Sequence, residues 1–161
     1  MNRFLSLRWT ALVLSIAIGL SLTGPAAAQT IPHFESCDGQ LTSITAPKGM
    51  TPGTMTGVGQ GTATTMGKYQ FMAAHNFTND GKILNGKGFN IAADGATIKT
   101  RYSGTFGPTN VANVVWIKVR AEYYDGTGRL AGVTGVADVV ATLNFATGLF
   151  HYDTAGTWKL P

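Results

Sequence analysis

One segment of the chain combines aromatic residues with a histidine in the alternating order of a β-strand, between Gly67 and Phe77. Alternation places Tyr69, Ala73 and His75 on the same face of this strand, which is the more apolar face. An imidazole has an ordinary pKa near neutrality and can both donate and accept a proton. His75 is therefore the first candidate for acid–base chemistry, and Tyr102 on a later strand is the second.

The same alternation gives several strands an apolar inner face that carries a few polar groups. Aromatic rings on such a face would form the walls of a ligand site, and the polar groups would orient the bound molecule. Each polar group alone is better explained by a hydrogen bond to a backbone group or by a place near a barrel mouth, whereas several of them converging on one interior are harder to explain in that way. The candidate ligand-binding residues are Tyr69, Phe71, His75, Phe77, Phe89, Tyr102, Phe106, Asn113 and Tyr123.

Other familiar chemistry is poorly represented. Cys37 is the only cysteine, so no intramolecular disulfide can form, and without a basic neighbour it is predicted to be an inert thiol. The stretch 81–87 resembles the start of a phosphate loop, but Gly88 stands where Ser or Thr is required. His151 and Asp153 share an outer face, which is too few ligands for a divalent metal. The sequence predicts neither a metal nor a cofactor.

Residues 1–28 have the features of a secretory signal peptide. Arg3 and Arg8 precede a short apolar stretch, Ala11 to Leu22, and small residues from Ala26 to Ala28 offer a cleavage site. The apolar stretch is shorter than the roughly 20 residues that span a bilayer. We therefore expect a secreted or periplasmic protein with no stable membrane insertion after cleavage, the alternative being an uncleaved N-terminal anchor.

The charge of the chain argues against a nucleic-acid partner. The 161 residues include 12 Lys and Arg and 8 Asp and Glu, for a net charge of +4. Without Arg3 and Arg8 the balance is 10 to 8, which leaves +2. The remaining basic residues are scattered, whereas a nucleic-acid surface needs them clustered.

The segment 29–52 shows little periodicity and is predicted to be an irregular leader with one short strand from Gln40 to Ala46. Residues 53–161 contain a succession of short alternating segments separated by turn residues, which predicts a single all-β domain. Seven or eight antiparallel strands could form a sandwich or a barrel. The glycines within the strands favour the barrel, because a small closed sheet needs kinks and bulges.

A glycine-spaced segment separates two of the predicted strands. Residues 126–135, GTGRLAGVTG, predict positive backbone φ angles or close chain approach, so these glycines are expected to be structural and not to contact a ligand. The glycines concerned are Gly126, Gly128, Gly132 and Gly135.

The same segment resembles the GTGRFxGxxG signature of the allene oxide cyclase and dirigent barrel superfamily, which includes bacterial secreted members. Residues 59–69, the Asp94-Gly95 turn and residues 102–105 follow in the order expected of such members. The resemblance implies a calycin-like, eight-stranded antiparallel barrel with an apolar interior, forming a homo-oligomer, a trimer in plant members. It also implies interior polar residues, among them a glutamate on an early strand, where this sequence has Gln60.

Three functions remain open from the sequence. The first is a secreted barrel that binds a small, largely apolar molecule in its interior. The second is a cyclase or isomerase that acts on such a molecule in the same cavity, with His75 as acid or base. The third is a structural or surface-interaction module with a filled barrel, because eight strands are just wide enough either to be filled by side chains or to hold one small ligand.

Overall fold

Eight antiparallel strands close into a single barrel in the computed structural model, which describes residues 28–161. The predicted all-β barrel is confirmed, whereas the predicted signal peptide, except Ala28, lies outside the described residues. Each strand pairs with the next along the chain, and the last pairs with the first. The strands are β1 Thr30–Thr45, β2 Gly53–Ala63, β3 Gly67–Phe77, β4 Lys82–Ala92, β5 Thr97–Pro108, β6 Val114–Tyr124, β7 Thr134–Asn144 and β8 Leu149–Lys159.

Strand β1 corrects the prediction of an irregular leader at 29–52, because it runs for 16 residues and closes the barrel against β8. Its burial does alternate: His33, Glu35 and Cys37 are buried, while Phe34 between them is 51% exposed. The polar residues thus point inward and the aromatic residue outward. A search for apolar alternation misses such a strand, since its inner face is polar.

Strand β4 presents the face opposite to the one predicted. Phe89 pairs with Met72 on the outside of the barrel, so the prediction that Phe89 forms an inner wall is wrong. Glycines occupy inner positions of β4 because side chains of β5 fill the space. A Cβ atom at Gly86 would overlap the ring of Tyr102, and one at Gly88 would overlap the hydroxyl of Thr100.

The start of β6 gives a second correction. Asn113, predicted to bind a ligand on an inner strand face, lies in the turn before β6, which begins only at Val114, and has a φ of 62°. Its side chain is exposed, so Asn113 does not belong to the barrel interior. Asparagine tolerates this left-handed backbone better than most residues, which explains its presence in the turn.

The two ends of the barrel differ. We call one end the base; it carries the connections 64–66, 93–96 and 125–133. It is packed with buried side chains, among them Trp158, Val133, Leu130 and Met66. Arg129 donates hydrogen bonds from Nε to Asp94 (2.5 Å) and from Nη2 to the carbonyl of Met66 (2.9 Å), which fastens the three connections together.

The other end, which we call the mouth, carries the connections 46–52, 78–81, 109–113 and 145–148. A smaller group of buried residues, Met55, Phe77 and Leu143, lies below these loops. Among residues 28–161, no helix is of a length and apolarity that would cross a membrane.

The glycine-spaced segment forms much of the base. Gly128 and Gly132 have φ angles of 58° and 78°, in the left-handed region that glycine favours. Gly126 lies against the backbone of Leu130, and Gly135 lies against the ring of Trp158, so a Cβ atom at either position would overlap its neighbour.

Candidate functional site

An internal cavity of about 110 Å³ lies between the base and the mouth. Its surface is almost entirely apolar, formed in part by the rings of Phe71, Phe150 and Tyr152 and by Leu143. The space exists because several strands place small residues on this face. Gly57, Ala73, Ala121 and Ala141 all line the cavity, and larger side chains at these positions would fill it.

A buried carboxylate lies at the base side of the cavity. Glu35 is 5% exposed and accepts a hydrogen bond at Oε1 from Nε2 of His33 at 2.9 Å, and a longer one at 3.4 Å from Nδ2 of Asn90. His33 and Glu35 are two residues apart on β1, so both face inward. Buried polar groups need hydrogen-bond partners, and His33 and Asn90 provide two for this carboxylate.

His33 is itself held in place from three sides. Its Nδ1 lies 2.8 Å from Oγ1 of Thr65, and its ring stacks on Trp158 with centroids 3.8 Å apart. These contacts hold the His33 ring in place, and its bond to Oε1 positions the Glu35 carboxylate.

Three tyrosines surround the carboxylate. The hydroxyls of Tyr69 and Tyr152 are 2.9 Å apart and hydrogen-bonded to each other. Burial raises the pKa of Tyr69, Tyr123 and Tyr152 above the ordinary value, and the negative charge of Glu35 raises each further. The phenols therefore stay protonated at neutral pH and serve as hydrogen-bonding groups.

The thiol of Cys37 lies in the same region, and burial raises its pKa to about 11. A thiol with such a pKa is almost wholly protonated at neutral pH and is a weak nucleophile.

A second polar pair lies on the cavity wall towards the mouth. Nδ1 of His75 is 2.9 Å from the hydroxyl of Tyr102, and the two rings meet edge to face. Burial lowers the pKa of His75 to about 4 and raises that of Tyr102. Both groups are therefore neutral at pH 7. A neutral imidazole in this position can take up a proton from a molecule bound in the cavity.

No known relative was found. Scans against protein-family models, curated proteins and solved structures each returned no match to the chain. The resemblance to the allene oxide cyclase and dirigent superfamily therefore stays a prediction.

The structure brings four of the nine predicted ligand-binding residues to the main cavity: Phe71, His75, Tyr102 and Tyr123. Tyr69 is buried beside it and reaches it only through its hydrogen bond to Tyr152. Two more residues, Phe77 and Phe106, line a smaller cavity towards the mouth. The remaining two, Phe89 and Asn113, lie outside the interior for the reasons given above.

The residues that sequence reasoning missed are mostly polar or on β8. Glu35 and His33 fall in the segment predicted to be irregular, and Asn90 lies on the misjudged face of β4. A usable signal did exist for Tyr152. His151 and Asp153 are correctly predicted to face outward, and the same alternation places Tyr152 inside.

Gln60, the early-strand residue that corresponds to the family glutamate by the resemblance, is exposed on the outside of β2. The carboxylate inside the barrel belongs to Glu35 on β1. On the outer wall, His151 contacts Asp38 at 2.8 Å and Asp153 at 3.3 Å, and the bond to Asp38 raises its pKa. No group of three or more ligating side chains among residues 28–161 has the arrangement of a metal site.

Proposed function

We propose that the barrel binds a small, largely apolar molecule in its interior. The observation that supports this function is the cavity of about 110 Å³ with an apolar surface, in a barrel of a size that side chains alone can fill. An interior that was only structural would gain stability if Ala121 and Ala141 were larger, because apolar burial and close packing stabilise a core.

The size of the cavity limits the ligand. A dry apolar cavity of roughly 150 Å³ takes up benzene, whereas drug-sized ligands need roughly 300 Å³ or more. The ligand is therefore expected to be about as large as a single ring. The polar groups bond mainly to one another, as Glu35 does with His33 and His75 with Tyr102. Recognition then comes from shape and apolar burial more than from hydrogen bonds.

Two adjacent alanines on β3 provide a matched test. Ala73 lines the cavity, and Ala74 is exposed on the outer face. We expect toluene to shift the methyl NMR signals of Ile83 and Ala141 in the wild type and in Ala74→Phe. In Ala73→Phe the new ring fills the cavity, and the shifts should disappear. Equal toluene shifts in both variants, or none in the wild type, would refute interior binding and favour the structural module.

An isomerase or cyclase is the second candidate, favoured by the two polar pairs that flank the cavity. An isomerisation moves a proton from one atom of the bound molecule to another, so a single base that takes up the proton and returns it balances the step. The neutral imidazole of His75 is the candidate for this base, and the Glu35 carboxylate is the second polar group beside the cavity. Such a reaction leaves the mass of the bound molecule unchanged. We expect the purified protein to retain a small molecule that native mass spectrometry detects. This molecule is then released and added to fresh protein, and its conversion is followed.

Conversion of that molecule to a product of equal mass, lost in His75→Phe while toluene binding persists, would support the enzyme over the binder. No conversion by the wild type would leave binding as the function. We further propose, from residues 1–28, that the protein acts outside the cytoplasm, and, from the family resemblance, that it forms a homo-oligomer. Light scattering would test the oligomeric state.

A further inference from the structure

Several exposed apolar side chains lie on the loops of the mouth. Met50 is fully exposed at the tip of the loop after β1, Val111 is 57% exposed in the loop before β6, and Phe145 is 39% exposed after β7. Ile44, near the end of β1, is exposed as well. Water-facing apolar residues are common singly, but a group on separate loops at one end of a barrel indicates an interaction surface.

The mouth also lies next to the interior cavities. A smaller cavity lined by Phe77, Phe106, Val115 and Phe145 lies between the mouth loops and the main cavity. Both cavities share Met55, His75, Ile83, Ile117 and Leu143 as lining residues. Phe145 is thus exposed on the outside and also lines the smaller cavity, so apolar side chains are continuous from the surface of the mouth to the main cavity. The base is instead filled by packed side chains.

We propose that the mouth docks reversibly on a lipid bilayer and takes up the apolar ligand from it. This inference rests on the proposed function. A small apolar molecule partitions into lipid, so a mouth seated among the lipid headgroups would receive it without passage through water. The apolar tips stand on separate loops with polar residues between them, which suits insertion between headgroups better than contact with a flat protein surface.

The charges at the mouth fit a lipid surface. Lys48 is exposed in the loop after β1 and forms no ion pair with any residue between 28 and 161. The carboxylate at this end, Asp80, is neutralised by Lys82 at 2.8 Å. The outer wall of β1 and β8 instead carries exposed Asp38 and Asp153. An approach by the mouth therefore brings a lysine to anionic headgroups and keeps these carboxylates away from them.

Two equally exposed valines make the test specific. Val111 lies at the mouth, whereas Val140 is 54% exposed on the wall of β7. The wild type and the variants Met50→Asp, Val111→Asp, Val140→Asp and Lys48→Glu are prepared from the full chain in the same way, so residues 1–28 contribute equally to all. Each is sedimented, without added ligand, with vesicles of phosphatidylcholine alone and with vesicles containing phosphatidylglycerol. Thermal midpoints verify that each variant is folded.

We expect Met50→Asp and Val111→Asp to bind both kinds of vesicle about tenfold more weakly than the wild type, because a charged side chain replaces an inserted apolar one. Val140→Asp should bind as the wild type does, and Lys48→Glu should lose affinity only for the phosphatidylglycerol vesicles. If the wild type sediments with neither vesicle, or if Val140→Asp loses as much affinity as Val111→Asp, the inference is overturned. The toluene experiment measures ligand binding in solution without vesicles, so its result distinguishes a failure of docking from a failure of ligand binding.

Discussion

The base and the mouth of the barrel have the same eight strands but opposite packing. At the base, Trp158 is wholly buried, stacks on His33 and is covered by the loop that Arg129 fastens. At the mouth, Phe77 and Phe106 meet edge to face around a small cavity, and apolar side chains project into solvent. The contrast indicates a division of roles: the base stabilises the fold, and the mouth provides access to the interior.

Truncating the central ring at each end should separate these roles most clearly. Trp158→Ala removes a fully buried side chain and should lower the free energy of unfolding by about 4 kcal/mol. Phe106→Ala removes a partly buried ring beside the smaller cavity and should cost about half as much. Urea denaturation measures both. Equal losses would contradict the assignment of stability to the base.

The buried pair on β1 gives the next largest effect. Glu35→Leu leaves Nε2 of His33 and Nδ2 of Asn90 without their acceptor and should destabilise the protein by about 3 kcal/mol. The double variant His33→Leu with Glu35→Leu removes donor and acceptor together, so part of the loss should be recovered. If the double variant loses as much unfolding free energy as His33→Leu and Glu35→Leu lose together, the two residues stabilise the protein independently.

How far the sequence predicts this interior depends on what each inner face carries. On β3 the inner residues are aromatic or apolar around His75, so alternation identifies Phe71 and His75 correctly as interior residues. On β1 the inner face is polar, so its pattern resembles that of a loop. On β4 a register shift between Ile83 and Gly86 interrupts the alternation, and two glycines and Asn90 follow on the inner face, so the pattern resembles that of a reversed strand. Hydropathy alone cannot detect such faces.

The cavity cannot be predicted from the sequence pattern, for a different reason. Its volume depends on the small residues of several strands, Gly57, Ala73, Ala121 and Ala141, meeting at one height of the barrel. That meeting depends on the pairing register between strands, such as Gly57 opposite Ala73, and on the bulges that shift it. A single strand carries no information about the register of its neighbours.

Acid should weaken the mouth side of the interior through His75. Because burial lowers the pKa of His75 to about 4 from an ordinary 6.5, the unfolded chain binds the proton more strongly than the folded one between these values. Stability is therefore full above about pH 6.5 and falls as the pH drops towards 4, by at most about 3 kcal/mol.

His151 is the internal control for this titration, since its bond to Asp38 raises its pKa on the exposed wall. NMR should show His75 titrating far below His151, and the acid-induced loss should shrink in His75→Phe. A His75 signal that titrates like a solvated imidazole would mean that the inner face of β3 has been assigned wrongly.

Two glycines compare the ends at the level of the backbone, with the smallest effect. Gly132 at the base and Gly49 at the mouth both have positive φ, 78° and 60°, so alanine at either costs about 1 kcal/mol in backbone strain. At Gly132 the new Cβ would also lie 3.1 Å from Cβ of Pro161, whereas at Gly49 it would meet nothing within 4 Å. Gly132→Ala should therefore lower the urea midpoint slightly more than Gly49→Ala. A larger drop in the urea midpoint for Gly49→Ala would contradict this expectation, because no atom near Gly49 would contact the new Cβ.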